Sequence, residues 1–494
     1  MTKFNQLVRD WPIAVYKPQA NPDYQGNPFI EALPLIRSDA EAAKDMQQLV
    51  RVSDGIALPA MDRMHLLGRI DNFVQPLDYH VNLARRMSIM LRQGYVHRNP
   101  ARPGHAAELG QAVAEMEALI KDGSDRMLGK IKAGTRRRIG PGHSLTLIGS
   151  SGVGKSTAAE AVLRCYSQVI IHPEMPGDLE VVQQILWLKL SVPPDGSIKA
   201  LCIDFFEAID ELLGTDYVRS YANSVSTTDK LIILMSRVAF LHGLGLLVID
   251  EIQNLNVAKS GGAQKMMNTF KLLRDVMKVP VLSIGTPEAL AILSADLQVA
   301  RRNSGLRPME RMENNYEFWF FCTSLFYAQF LRNPLVLTEA IRNQLYYLSQ
   351  GIADVVVKIF VLAQHDALAA GLETIHPSMF DEVYQSSLQL LHPFLDDIRI
   401  GASADGRLFD RALAATKQAV VPAAPTPAIA ENGDAPAAAV TGVKAKRKRR
   451  EKGEPSTCLL VRIVEEAAQE EISAHQALFE TGHIRPLGDE VLAQ

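Results

Sequence analysis

Cysteine is scarce in this chain. Its 494 residues include four cysteines, Cys165, Cys202, Cys322 and Cys458, which lie far apart and form no Cys-x-x-Cys pair. This spacing argues against a disulfide framework and against a zinc site, and it fits a reducing compartment.

Long apolar runs and a strong net charge are missing as well. The longest apolar runs, such as LGLLVI, are far shorter than the roughly 20 residues of a membrane-spanning helix. Residues 1–30 lack the basic start and apolar core of a signal peptide. Because the formal net charge is only -3, any nucleic-acid surface has to be local. We therefore expect a soluble, cytoplasmic protein of several folded units, since 494 residues exceed one compact domain.

Composition and periodicity divide the chain into six predicted segments. Scattered prolines mark its start, apolar residues at helical spacing mark two regions, and an Ala/Pro-rich stretch cannot bury a core. The segments are an extended N-terminal arm (1–57), a helical N-terminal region (58–135), a core (136–330), a helical lid (331–415), a disordered Ala/Pro linker with a basic run (416–456) and a C-terminal partner-docking segment (457–494).

Apolar, β-branched runs alternate with helical stretches between residues 143 and 287. The runs are HSLTLIG, QVIIHP, ILWLKLSV, LGLLVID and VPVLSIG. Alternation of this kind predicts an α/β fold, a parallel sheet with helices on both of its faces.

The first of these runs leads into a glycine-rich turn, LTLIGSSGVGKSTAAEAVL at 145–163, which fits the pattern G-x-x-x-x-G-K-[ST]. Gly149 and Gly154 let the backbone turn so that its N–H groups converge on phosphate oxygens. Lys155 reaches the β- and γ-phosphates, and the hydroxyl of Ser156 binds Mg²⁺. A chance glycine-rich turn is disfavoured by the strand before it and the helix after it. ATP and Mg²⁺ are the predicted cofactors, and the nucleotide-binding residues are Gly149, Ser150, Ser151, Gly152, Val153, Gly154, Lys155, Ser156 and Thr157.

A second apolar run, LGLLVIDEIQNL, ends in two carboxylates. Asp250 at the strand end is predicted to hold the metal together with Ser156, and Glu251 to act as general base toward the attacking water. The alternative is a buried strand with an acidic cap, which the phosphate loop makes the weaker interpretation. Glu251 favours true ATPase activity.

The next strand, VPVLSIGTPEAL, lies between the strands of these two motifs in one large class of P-loop ATPases, which places Thr286 near the γ-phosphate. A role for Thr286 as helix N-cap is an open and compatible alternative. Arg301 and Arg302 follow and are candidates for an arginine that completes the site of a neighbouring subunit. Their alternative is a solvated basic helix face. Arg342 is a weak candidate for a second sensing arginine in the lid.

Together these features resemble the AAA+ fold. GYVHRNP (94–100), DEIQNL (250–255), SIGTPEA (283–289) and the stretch at 188–217 resemble the TnsC/TniB family of AAA+ ATP-dependent transposition regulators. The resemblance covers roughly residues 58–400, and the long arm and tail make the chain similar to the larger TnsC type of selector-targeted or CRISPR-associated transposons.

The resemblance implies a regulator that assembles as a ring or filament, a hexamer or heptamer, on double-stranded DNA. It implies a link between a TnsD/TniQ-like target selector, a TnsB-like transposase and a TnsA-like endonuclease, with hydrolysis releasing the assembly from DNA. Two alternatives stay open at this point: another DNA-associated AAA+ ATPase such as a helicase loader, and a nucleotide-gated scaffold with incidental hydrolysis.

The resemblance also implies a DNA-facing surface after the second core strand, in SVPPDGSIKAL. Ser197 and Lys199 are the candidates there, and Lys230 is a third; the alternative for each lysine is plain exposure without a role. The basic run at 129–140 contacts DNA, packs against a neighbouring subunit near the nucleotide, or is solvated charge. The run at 444–452 is either a tethered DNA-binding arm or a solvated flank. The acidic, amphipathic C-terminal segment is predicted to dock on the TnsA-like or TnsB-like component, or else to fold back on the lid.

Overall fold

The computed structural model describes residues 11–102, 144–173, 182–222, 228–257, 279–290 and 308–400. The strands are β1 (Ser144–Ile148), β2 (Val169–His172), β3 (Val182–Ile185), β4 (Trp187–Ser191), β5 (Leu246–Asp250) and β6 (Val281–Gly285). The helices are α1 (Pro28–Glu31), α2 (Asp39–Met46), α3 (Ala60–Leu66), α4 (Asp78–Val96), α5 (Lys155–Arg164), α6 (Ile198–Leu213), α7 (Thr228–Leu241), α8 (Tyr316–Phe326), α9 (Glu339–Ser349), α10 (Ala353–Ala369), α11 (Ser378–Ser387) and α12 (His392–Arg399).

Four strands form a parallel sheet in the order β1-β6-β5-β4. Ser144 lies opposite Val281, Leu247 opposite Val281, and Trp187 opposite Leu246. As predicted, the strand that ends before Thr286 lies between the strand of the phosphate loop and the strand of the acidic pair. The order confirms the predicted α/β P-loop ATPase core of AAA+ type.

Helices cover both faces of this sheet, as predicted. In the central strand β5, Leu247 and Ile249 belong to one core with α6 and α7, while Leu246 and Val248 belong to another core with α4 and α5. Successive side chains of a strand point to opposite faces, so a strand covered on both sides is apolar throughout. This is why the first four residues of β5, Leu246 to Ile249, form a continuous apolar run in the sequence.

Two of the predicted strand assignments were wrong in detail. The run QVIIHP forms β2, which pairs antiparallel with β3 in a separate two-stranded sheet, and ILWLKLSV divides into β3 and β4. Buried polar side chains hold β2 and β3 together: His172 and Gln184 are fully buried and form a hydrogen bond of 2.9 Å between the two strands. Buried polar groups need such partners, and alternation of apolar runs does not reveal them.

The described part of the predicted extended arm is not extended throughout. Asn21 and Asn27 accept hydrogen bonds from backbone N–H groups as helix N-caps, and each precedes a proline in the first turn. Proline is well suited to that position, so the prolines that suggested an extended chain here begin short helices. Phe29 and Ile30 are buried in the core shared with α4 and α5.

The lid is larger than its predicted segment. Helices α8 to α12 share one apolar core with residues 60–77, including Leu67, Ile70 and Phe73, so part of the N-terminal region packs with the lid. Arg63 of α3, 1% exposed, forms a bidentate ion pair with Glu373 between α10 and α11. The predicted boundaries of the six segments stay a prediction.

No single helix in the described part of the chain is both long and apolar enough to cross a membrane. Only α9 and α10 taken together, bent by 117°, pass that test of length and composition. Both helices contribute to the buried core of the lid.

Candidate nucleotide-binding site

The phosphate loop connects β1 to α5 and needs glycine at two places. Gly152 and Gly154 have φ angles of 77° and 100°, in the left-handed region that disfavours side chains. Gly154 is the N-cap of α5, so Lys155 begins the helix. The free N–H groups and the positive end of the helix dipole therefore lie at the loop, as an anion site requires.

Gly149 has a different role from the turn predicted for it. A Cβ atom there would lie 2.2 Å from the carbonyl oxygen of Met309. Met309 donates its N–H to the oxygen of Ile148 at 2.7 Å and forms a parallel bridge with Gly149. The segment at 308–310 thus runs beside β1 on the side away from β6, and only glycine leaves room for it.

The remaining residues of the phosphate loop differ in their exposure. Lys155 donates from Nζ to the carbonyl oxygen of Ser150 at 2.7 Å, across its own loop. Ser151 and Thr157 are exposed, Ser156 is half-buried in the first turn of α5, and Val153 is buried.

The end of β5 holds a buried carboxylate. Asp250, 5% exposed, accepts the N–H of Glu251 at 2.9 Å and forms an ion pair with Lys189 of β4 at 3.2 Å. Lys189 also pairs with Glu160 of α5. Burial lowers the pKa of Lys189, but the hydrogen bond to Glu160 and the charge of Asp250 outweigh it, so its pKa is raised. Sequence reasoning missed Lys189, although a lysine between two leucines of a strand was a signal.

The donor set near the loop suits Mg²⁺. The described residues contain no cluster of three or more His, Cys, Asp or Glu side chains that could hold a metal alone. Mg²⁺ needs none, because it is bound through one or two carboxylates, substrate phosphates and water. The hydroxyl of Ser156 and the carboxylate of Asp250 are oxygen ligands of this kind.

Glu251 has an unusual backbone. Its φ of 57° lies in the left-handed region, and its carboxylate accepts a hydrogen bond from Nε2 of Gln253. Gln253 also accepts the N–H of Thr286 on its own Oε1 at 3.2 Å. One glutamine therefore joins the predicted general base to the end of β6.

Thr286 directly follows β6. Its Oγ1 is buried and has no hydrogen-bond partner among the described residues, whereas its carbonyl oxygen accepts the N–H of Ala289 at 3.0 Å. The side chain does not cap the following turn here, so the alternative as a side-chain N-cap is not realised. A buried hydroxyl without a partner is unusual, and this one lies at the strand end that contacts the phosphate loop through Gly285 and Gly149.

A cavity of about 840 Å³ opens beside the phosphate loop. Its size is typical of sites for small molecules. The walls come from the phosphate loop, from residues 70–80, from residues 309–317 and from the start of α10 in the lid. Tyr79 lines it with a buried hydroxyl that has no partner in the described structure, and burial raises the pKa of this phenol. Sequence reasoning missed this wall entirely.

The lid reaches the phosphate loop through α10. The N–H of Asp354 donates to the carbonyl oxygen of Gly152 at 3.2 Å, and its carboxylate pairs with Lys358 at 2.7 Å. Both side chains line the cavity. Arg342, the weak candidate for a lid arginine, is on α9, bonds Glu339 at 3.3 Å and is not among the residues that line the cavity.

The three candidate DNA contacts lie at the starts of two helices. Ser197 caps α6 by accepting the N–H of Ala200 at 3.2 Å. Lys199 is exposed in the first turn of α6, and Lys230 is half-buried in the first turn of α7. Arg301, Arg302, both basic runs and the C-terminal segment lie outside the described residues.

Residues 120–310 match the model of the family described as "Bacterial TniB protein". A search of curated proteins finds no match. Among solved structures, the chain is similar to the Aeropyrum pernix ORC1 protein in complex with DNA (17% identity, 62% of this chain and 79% of that chain, TM-score 0.37). It is also similar to the Aeropyrum pernix ORC2 protein (15%, 62% and 80%, TM-score 0.36) and to a Walker-type ATPase of Pyrococcus abyssi (14%, 56% and 76%, TM-score 0.35). The match to the family model over residues 120–310 confirms the resemblance to the TnsC/TniB family found in the sequence.

Proposed function

We propose that the protein is an ATP-hydrolysing regulator of transposition that assembles on double-stranded DNA. The observation that carries the proposal is a phosphate loop after β1 and the pair Asp250 and Glu251 at the end of β5, with β6 between the two strands, in a chain of which residues 120–310 match the TniB family model. Phosphate binding requires only the loop, whereas the acidic pair on β5 adds the groups for hydrolysis.

In the proposed reaction, the loop N–H groups and Lys155 hold the β- and γ-phosphates. Ser156 and Asp250 would hold Mg²⁺, which would supply positive charge that neutralises the phosphates. Glu251 accepts a proton from a water whose oxygen forms the new bond to the γ-phosphorus, and the bond from that phosphorus to the β–γ bridging oxygen breaks. Thr286 contacts the γ-phosphate with its unpaired hydroxyl.

A neighbouring subunit supplies Arg301 or Arg302 in this proposal. A guanidinium that approaches the transferred phosphoryl group stabilises the charge of the transition state. The site is then complete only in an oligomer, such as a hexameric or heptameric ring or a filament, so ATP controls assembly as well as turnover.

DNA is held by the starts of α6 and α7. Lys199 and Lys230 are cations at helix starts and can approach phosphate oxygens without reading base sequence. Ser197 already serves as the cap of α6, and a contact from it would use a lone pair that the cap leaves free.

The TniB family match supports a role in transposition, and the finer partners follow from the resemblance. A TnsD/TniQ-like selector would recruit the ATP-bound assembly. That assembly would then recruit a TnsB-like transposase and a TnsA-like endonuclease, through the C-terminal segment among other surfaces.

The decisive experiment combines ATPase assays with electron microscopy of the full chain on duplex DNA. Wild type with a nonhydrolysable ATP analogue is expected to form ordered oligomers on DNA. Glu251→Gln should still assemble with ATP, but its ATP turnover should fall at least about 100-fold, a loss typical of removing a catalytic group. Lys155→Ala should lose both assembly on DNA and ATP turnover. Assembly that is indifferent to ATP would contradict the proposal. Full transposase activation by Glu251→Gln, with no loss of target choice, would favour a nucleotide-gated scaffold.

A further inference from the structure

Gln253 connects two parts of the site that the sequence treats as separate motifs. Its amide oxygen accepts the N–H of Thr286 at 3.2 Å, and its amide nitrogen donates to the carboxylate of Glu251. A backbone N–H can only donate, so the oxygen of the amide has to face Thr286. This leaves the NH₂ group for the carboxylate.

The surroundings are shaped to allow this contact. A Cβ atom on Gly285 would lie 3.0 Å from Oε1 of Gln253 and 2.6 Å from Cγ1 of Ile252. Glycine at the last position of β6 therefore permits the glutamine to approach the strand end. The carbonyl oxygen of Gly285 also accepts the N–H of Gly149 at 3.3 Å. The end of β6 thus touches the phosphate loop on one side and Gln253 on the other.

The backbone of Glu251 is held at the same place. A left-handed conformation is unfavourable for a residue other than glycine and persists where neighbours enforce it. The side chain of Asp250 accepts the N–H of Glu251 at 2.9 Å. The carbonyl oxygen of Glu251 accepts the N–H of Asn254 at 3.0 Å. The backbone is fixed by these bonds, so the side-chain torsions are the freedom that remains, and Gln253 restrains them.

We propose that Gln253 is a positioning residue, which orients the Glu251 carboxylate and ties that orientation to the end of β6, where Thr286 meets the γ-phosphate. The inference rests on the proposed ATPase function. When the γ-phosphate binds or leaves, Thr286 shifts. Because the planar amide of Gln253 is bonded to both residues, this shift also moves the carboxylate of Glu251. Only a side chain that donates and accepts at once can do this.

Three substitutions test the role in the full chain bound to duplex DNA. Gln253→Met keeps the length of the side chain and removes both hydrogen bonds. Gln253→Glu keeps an acceptor for Thr286 but loses the donor and adds a negative charge beside Glu251. Gln344→Met is the matched control, because the amide of Gln344 donates to the carboxylate of Asp381 at 2.6 Å within the lid. Steady-state kcat and KM are measured together with the Kd of a fluorescent ATP analogue and the thermal midpoint.

For Gln253→Met we expect kcat to fall about 10-fold to 100-fold, the loss typical of a misplaced catalytic group. Its Kd for the analogue should stay within about twofold of the wild-type value. Its thermal midpoint should stay within about 2 °C, since the hydrogen bond between Gln253 and Glu251 is exposed. Gln253→Glu should lose at least as much, and Gln344→Met should keep the wild-type kcat. In a Glu251→Gln background, Gln253→Met should cause no further loss, because residues that act as a unit are not additive.

The outcomes separate this inference from the proposed function. If wild type shows no Glu251-dependent hydrolysis, the proposed function fails and the inference fails with it. If wild type hydrolyses ATP and Gln253→Met retains or exceeds the wild-type kcat, the inference alone is overturned. A drop in kcat matched by weaker nucleotide binding and a lower thermal midpoint also overturns it, because that pattern indicates a structural role.

Discussion

The backbone N–H of Asp354 donates to the carbonyl oxygen of Gly152 at 3.2 Å, so the lid is hydrogen-bonded to the phosphate loop itself. Asp354 is in the first turn of α10, and Lys358 pairs with its carboxylate one turn later. A Cβ atom on Gly152 would lie 3.8 Å from Oδ2 of this carboxylate. An acidic group and its partner cation therefore lie beside the phosphate loop.

Neutralising this carboxylate should strengthen nucleotide binding. Asp354→Asn removes a negative charge near the phosphates and frees Lys358 to approach them, so we expect ATP to bind about threefold to tenfold more tightly. Titration with a fluorescent ATP analogue measures the change. Asp381→Asn, which alters a lid carboxylate bonded to Gln344, is the control and should leave binding unchanged. Unaltered or weaker binding by Asp354→Asn would refute the prediction.

The hydroxyl of Tyr79 should contribute to nucleotide affinity without contributing to stability. Tyr79 lines the cavity, and its hydroxyl lacks a partner within the described residues, so Tyr79→Phe removes a polar group without breaking a described hydrogen bond. We expect ATP binding to weaken about threefold to tenfold, the value of one hydrogen bond, with no loss in thermal midpoint. Tyr384→Phe, in the lid core, is the control. Equal affinities of Tyr79→Phe and wild type would exclude a contact from this hydroxyl.

The ion pair of Arg63 and Glu373 should stabilise the protein at neutral pH. Glu373→Gln leaves the buried guanidinium without its charge partner, and we expect a loss of about 2 kcal/mol in the free energy of unfolding. This is less than for a fully buried pair, because the Glu373 side chain is 28% exposed. Urea unfolding at pH 7 measures the difference between variant and wild type.

The same pair predicts a pH dependence. The hydrogen bonds from Arg63 lower the pKa of Glu373 from 4.5 to about 2. Its contribution is therefore fully present above pH 4.5 and is lost as the pH falls toward 2. The stability gap between wild type and Glu373→Gln should narrow over that interval. A gap that stays constant down to pH 2 would argue against an ionised Glu373 as its cause.

A side chain at position 149 should destabilise the fold even without nucleotide. The carbonyl of Met309 cannot move away as a flexible side chain could, so Gly149→Ala is expected to cost about 1–3 kcal/mol, as overpacking does. Gly68→Ala is the matched control, because no atom lies within 4 Å of the Cβ position there. Calorimetry of both variants in the absence of ATP measures the effect. Equal thermal midpoints for Gly149→Ala and Gly68→Ala would show that the segment around Met309 can move to accommodate the added methyl group.

The sheet and the phosphate loop could be predicted because their signals are local. A buried strand between two helical layers is apolar throughout, and the loop carries glycine, lysine and serine at fixed spacing. Asp250 was found by the same reasoning, since a charge at the end of such a strand stands out. The candidate site residues remain predictions for nucleotide chemistry, and the structure adds their mutual arrangement.

The missing parts depend on long-range contacts. Tyr79 precedes the phosphate loop by more than 60 residues and Asp354 follows it by about 200, and no spacing rule joins them to it. Gly149 was assigned a turn, although its neighbour is a carbonyl from residue 309. The prolines at 22 and 28 suggest an extended chain, but each follows an asparagine that caps a short helix.

The packing of residues 60–77 with the lid has a consequence for where the protein can be cut. The family match begins at residue 120, yet Leu67, Ile70 and Phe73 fill the apolar core of the lid, and Arg63 neutralises Glu373 inside it. A fragment beginning at residue 120 would expose that core and remove one wall of the nucleotide cavity. We therefore expect the smallest unit that folds by itself to begin before residue 60, and we expect the segment at 120–310 not to fold when it is isolated.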